Sequence, residues 1–299
     1  MKATRIVFEK GIELCRTDDR PWFLELGSGK IKNLTPSSIS KKYGVRPVLE
    51  ALFLSPGNEI ISLLPAKPMR RLYVELSEIQ AKASTKDVSF LHFQNLLYGL
   101  GALNYHCIQL AGTYCKIIRS ATRFPIDKPN RWIFGNQPEP YYEFDALITV
   151  ARRTYNALGH IIWNLFGSKK GGAPDNFERT IQLCEKKCPT TLKNRLKLSC
   201  SQFGSKVKDY RDCIQHYNPI VNWSPYAIME QGEGGILSAS ILIPDNPEAK
   251  SPKRFRYDSR LDALTYGWEL TTEIFKVAWA IINELPDKEV QQKGGETQK

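Results

Sequence analysis

The chain has 299 residues, 42% of them apolar and 24% charged, which is ordinary for a globular protein with a sizeable core. A formal charge of +11 favours polyanionic partners, nucleic acid ahead of anionic membrane. No apolar run reaches the roughly 20 residues that cross a bilayer, and the opening MKATRIVFEKG has no apolar stretch of secretory type.

With seven cysteines scattered through apolar sequence, the expected setting is reducing and cytoplasmic, without membrane attachment. No cofactor is expected. No metal is expected either, because CEKKC at Cys184–Cys188 lies in a helical pattern and not in a turn with CxxC spacing.

Residues 1–80 read as a small mixed α+β region. Ile6–Phe8, Trp22–Leu26 and Leu72–Leu76 have strand character, while Val48–Leu54 fits a helical turn or a strand. GSGK at Gly27–Lys30 lacks the spacing of a phosphate loop and reads as a turn. From Thr85 to about Thr122, Phe90, Phe93, Leu96, Leu97, Leu100 and Leu103 recur at three- and four-residue steps, which predicts a long helix. Gly99, Gly101 and Gly112 would let another helix approach it closely. The stretch 125–140, rich in Pro and Asn, reads as a loop.

A second long helix is predicted over Tyr142–Phe166, stopped at Gly167. Asp175 or Asn176 caps a third helix to Cys188, and Pro189 opens the next. Thr191–Tyr217 is helical, with Gly204 as a break that leaves a short helix from Ser205. Tyr226–Glu230 and Ile236–Ile243 form a hairpin, closed by the turn Pro244–Pro247. KSPKRFRYD mixes basic and aromatic residues, as suits base stacking or a basic linker. Ser259 and Asp262 resemble a capping box for a last helix striped by Leu264, Trp268, Leu270, Ile274, Val277 and Ile281. The predicted fold is mainly α, an up-and-down helical bundle over 85–285. A β-hairpin (about 226–243) precedes the last helix, a small α+β region precedes the bundle, and 286–299 form a disordered tail.

The chemistry concentrates in KVKDYRDCIQHYNPI, Lys206–Ile220. Arg211 is followed after four residues by His216, near a helix end set by Asn218-Pro219. A fixed guanidinium fork holds phosphate oxygens, and an imidazole gives or takes protons near neutral pH. Five helical steps turn about 140°, so the two should meet only across a groove or where the helix ends. Asp212 and His216, at i and i+4, share a face, which would let the carboxylate orient the ring. Lys206, Lys208, Tyr210 and Asp212 read as a polar, basic surface around the pair. A second Arg–His spacing, Arg153 to His160, places its histidine among Leu158, Ile161 and Ile162, and reads as a core position.

Arg211, Asp212 and His216 resemble the RX4–6H signature of the HEPN superfamily, in which a polar residue commonly follows the arginine. The resemblance covers roughly 141–220 and the final helix. It implies a metal-independent endoribonuclease, of defence or toxin type, whose site forms where two copies of the motif helix meet in a homodimer. Arg211 would then stabilise the phosphorane-like transition state and His216 would act as general acid or base, tuned by Asp212. Lys206, Lys208, Tyr210 and Tyr217 would contact RNA, and Glu143 or Asp145 would point at the groove. Some members carry a tyrosine two residues after the histidine, whereas Tyr217 follows at once. A neutralising protein partner is also implied. The alternatives are a non-catalytic module of the same type that binds RNA, a nucleotide or a protein, and a structural subunit with Arg211 and Asp212 in an interface.

Overall fold

Two long antiparallel helices, α1 (Val88–Ala121) and α2 (Glu139–Phe166), frame the molecule. In the computed structural model, described residues are 88–121, 130–167, 172–174, 176–216, 219–220, 225–231 and 237–284, with backbone alone at 2–7, 13–17, 20–25, 46–49, 52–53 and 61–62. The expected strand at Leu72–Leu76, the GSGK turn, Tyr217 and the tail lie outside them. The pairs His92/His160, Gly99/Thr154 and His106/Glu143 fix the antiparallel sense, since one member rises in number as the other falls. Leu96, Leu100, Leu103 and Leu110 of α1 are buried, as their three- to seven-residue steps dictate.

Gly99 sets how closely the two helices approach. A Cβ there would stand 2.4 Å from Thr154 Oγ1, and that hydroxyl is held by donating to the Val150 carbonyl at 2.8 Å. A β-branched side chain locked in this way cannot swing aside. Gly99→Ala should cost about 1–3 kcal/mol of stability, read as an earlier urea midpoint.

Four shorter helices complete the bundle: α3 (Phe177–Cys184), α4 (Thr190–Ser199), α5 (Ser205–His216) and α6 (Ala263–Ile282). Asn176 caps α3 by accepting from the Glu178 and Arg179 amides, and α3 ends at Cys184, earlier than its apolar pattern predicts. Phe144 of α2, Tyr210 of α5 and Tyr266 of α6 pack as one aromatic cluster, with centroids 5.5–6.1 Å apart. Arg195 of α4 pairs with the largely buried Glu273 of α6.

Asp262 caps α6, accepting from the Thr265 amide at 2.9 Å. Ser259 is not its reciprocal partner. Its hydroxyl and amide both donate to Asp245, and the Asn246 side chain bonds Arg254 and Arg256 backbone. The turn at 244–247 therefore organises the whole basic loop up to Ser259, rather than only closing a hairpin.

The hairpin strands are β8 (Tyr226–Gln231) and β9 (Leu237–Ser240). The stretch expected as a loop contains a strand, β7 (Asn130–Gly135), paired antiparallel with β8 from Asn130↔Gln231 to Gly135↔Tyr226. On the other side β9 pairs with β3 (Arg20–Glu25) through Trp22↔Ala239 and Phe23↔Ser238. With β1 (Lys2–Val7), β2 (Glu13–Thr17) and β4 (Arg46–Leu49) the sheet runs β4-β1-β2-β3-β9-β8-β7. The small separate β5 (Leu52–Phe53) and β6 (Ile61–Ser62) pair with each other. Strands β1 to β4 thus extend the hairpin's sheet, while β5 and β6 form a two-stranded sheet of their own.

Candidate nucleic-acid site at the end of α5

One wide π turn, Cys200–Gly204, joins α4 to α5, closed by the Ser205 amide donating to the Cys200 carbonyl. The break expected at Gly204 is this turn, and the helical path continues through it. Val207, Tyr210 and Cys213, spaced by three, form the buried stripe of α5. Tyr210 is therefore not a surface residue: it is fully buried, and its hydroxyl donates to the Pro244 carbonyl. That removes Tyr210 from the RNA-facing set and makes it the anchor of α5 to the basic loop.

Arg211 and His216 do converge, within one helix. The Arg211 Nη1 lies 3.4 Å from His216 Nε2, because His216 is the last residue of α5 and its ring folds back over the terminal turn. A guanidinium has donors only, so in this contact Nε2 is the acceptor and the ring proton sits on Nδ1. His216 is exposed, with its basic nitrogen held by a cation. Asp212 accepts from the same Nη1 at 3.1 Å. The carboxylate expected to orient His216 thus grips the arginine that meets His216.

Arg152 of α2 joins this group, a residue passed over in the sequence. Burial pushes its pKa down, the nearby Asp212 supports its charge and Arg211 opposes it. Arg152 and the exposed Lys208 line a cavity of about 130 Å³ against the π turn, with Asn176, Glu178 and Asp209. Its only sequence signal was an Arg-Arg doublet in an otherwise amphipathic helix. Lys206 is half-buried on the same helix as Lys208. The basic loop carries Lys253, Arg254, Arg256 and Arg260 exposed, while Phe255 is buried and cannot stack on a base.

Of the two acidic candidates at the start of α2, Glu143 bonds His106 Nδ1 at 3.0 Å. Asp145 is half-buried, its Oδ1 has no hydrogen-bond partner, and desolvation pushes its pKa up to about 7. A carboxyl whose folded pKa is raised loses stability as pH climbs from its ordinary value, near 4, to about 7. Asp145→Asn should therefore stabilise the protein by about 1–3 kcal/mol at pH 8 and leave it unchanged at pH 4, in denaturant melts at both values.

His160 is not packed into the core. It is half-buried and stacks on His92 in a groove between α1 and α2, with Arg153 at the same rim. Cys107, Cys115, Cys184, Cys188, Cys200 and Cys213 are buried and form no disulfide with one another. Burial pushes the Cys200 thiol beside the 130 Å³ cavity up to about 11, far from a nucleophilic thiolate. Among the described residues, no group of three or more His, Cys, Asp or Glu is arranged to hold a metal ion. None of the described helices is long and apolar enough to cross a membrane. No protein-family model matches the chain, and neither the curated proteins nor the solved structures compared with it give a match.

Proposed function

We propose that the protein is a metal-independent endoribonuclease of HEPN type, acting as a homodimer with Arg211 and His216 at its seam. The observation that carries this reading is the 3.4 Å contact that leaves an exposed imidazole with its basic nitrogen beside a guanidinium. When RNA binds, Arg211 turns from Nε2 to the phosphate; the freed His216 Nε2 takes the proton of a ribose 2′-hydroxyl, the 2′-oxygen bonds to the adjacent phosphorus, and the bond to the 5′-oxygen breaks. The departing 5′-oxygen takes a proton from the pair on the second copy. Arg211 and Arg152 face the charge that builds on the phosphoryl oxygens. The basic loop, fixed to α5 through Tyr210, supplies strand contacts along with Lys206 and Lys208.

The test is incubation of the full chain with total RNA in EDTA. Fragments ending in 2′,3′-cyclic phosphate are expected, and intact RNA over hours would overturn the reading. The Arg211–Asp212 bond favours a second reading, in which the guanidinium is already engaged and the surface only binds RNA. That reading gives salt-sensitive binding without turnover.

A further inference from the structure

The groove that holds His92 and His160 has a composition of its own. Its described lining comes from α1 and α2 alone, encloses about 240 Å³, and includes His92, Asn95, Tyr98, Arg153, Asn156 and His160. The two imidazoles lie parallel, 3° apart in plane with centroids at 4.4 Å. Arg153 stands over the Tyr98 ring at 5.9 Å, and that ring is 66% exposed. The charged and titratable groups facing the groove are thus His92 and Tyr98 from α1, and Arg153 and His160 from α2. No Asp or Glu is among the described residues that line it.

Three features specify a ligand. Two imidazoles and a guanidinium without a carboxylate gain from an anion, since adding a proton to one stacked ring repels a proton on the other. Burial and the neighbouring His160 both push the His92 pKa down, so an anion is what restores its charge. Asn156 Oδ1 is buried without a hydrogen-bond partner, and it calls for a donor such as a sugar hydroxyl or a base amino group. Tyr98 with Arg153 offers a flat, cation-backed surface on which a base stacks. A volume just below the ~300–1,000 Å³ of drug-sized pockets fits one nucleotide unit.

We propose that this groove is a nucleotide site, with the phosphate against His92, His160 and Arg153, a hydroxyl or amino donor on Asn156, and the base against Tyr98. It does not depend on cleavage at His216. The nucleotide is either free or one unit of a strand, and the two sources are separated in the test.

The chain has only four histidines, His92, His106, His160 and His216, so their ring Hε1 resonances report each location separately. Full-length protein is titrated from pH 5 to 8 with adenosine 5′-monophosphate, a single-stranded DNA hexamer, or inorganic phosphate. The nucleotide or the hexamer should move the His160 signal and raise the His92 titration midpoint by about one pH unit, which for that group is equivalent to an affinity loss of about tenfold across that range. Arg153→Gln, at an exposed position, should weaken binding about tenfold as read on the His92 and His160 signals. Response to the monophosphate alone identifies a free nucleotide, and a stronger response to the hexamer identifies a strand. Unmoved His92 and His160 signals with both ligands, or undiminished binding by Arg153→Gln, would overturn the site. Inorganic phosphate binding as well as the nucleotide would overturn its assignment to a nucleotide. Movement of His216 alone would leave the cleavage reading standing while this one fails.

Discussion

His216→Ala should abolish RNA cleavage, with a loss of at least about 10²-fold set by removal of the imidazole that transfers the proton. Arg211→Ala should lose a comparable factor, about 10²–10³, because nothing else on α5 offers a fork of donors beside that imidazole. Arg211→Lys should not rescue it, since an ammonium cannot hold two phosphoryl oxygens at fixed spacing. Neither alanine variant should unfold the protein: His216 is exposed, and Arg211 is about a third exposed at 35%. The check is single-turnover cleavage followed by end-group analysis, beside a thermal melt of each variant. Full activity in either variant would remove the Arg–His pair from the chemistry. Retained RNA affinity with no wild-type cleavage would favour the binding module.

The largest loss of stability is expected at Asp262. Asp262 is half-buried, and its carboxylate takes four donors: Tyr114 hydroxyl at 2.6 Å, Ile241 amide at 3.0 Å, and the Thr265 amide and hydroxyl at 2.9 Å. Burial pushes the Asp262 pKa up while these donors pull it down. The Tyr114 hydroxyl also accepts from the Leu264 amide at 3.2 Å. One side chain thus ties α1, the segment that follows β9 and the first turn of α6. Asp262→Ala removes the helix cap and strands two buried donors, an expected cost of about 3–5 kcal/mol. Asp262→Asn keeps one oxygen for the cap and should cost clearly less. Urea denaturation of the pair gives the comparison, and equal losses would show that the oxygen facing Tyr114 and Ile241, and not the cap, carries the stability.

Much of the bundle was readable from period and punctuation. Leu96, Leu100 and Leu103 announced α1, Asn176 and Pro189 marked helix starts, and Gly204 marked the interruption before α5. Strand β7 was hidden because Asn130–Gly135 sits in a Pro- and Asn-rich stretch and finds its partner only at Tyr226–Gln231. Nothing local encodes such a distant pairing. Within the candidate site, Arg211 and His216 were visible, and helical rotation limited their meeting to a groove or a helix end. The terminal position of His216 released that constraint. Tyr210 was misread because a hydroxyl suggests a surface, whereas its spacing with Val207 and Cys213 was the better guide. Arg152 could not be placed without the packing of α2 on α5. His160 was misread for the converse reason: aliphatic neighbours in sequence surround a ring that tertiary structure turns toward His92.

The backbone bonds between β3 and β9 have a practical implication for anyone isolating the helices. Cutting the chain ahead of α1 would strip the partner from Ser238 and Ala239 and leave a raw, unsatisfied sheet margin. Such a margin recruits another copy of itself, so a trimmed fragment would self-associate by strand exchange for reasons unrelated to any natural dimer. Strand β3 acts as a tethered shield, and oligomer measurements are meaningful only on protein that retains it.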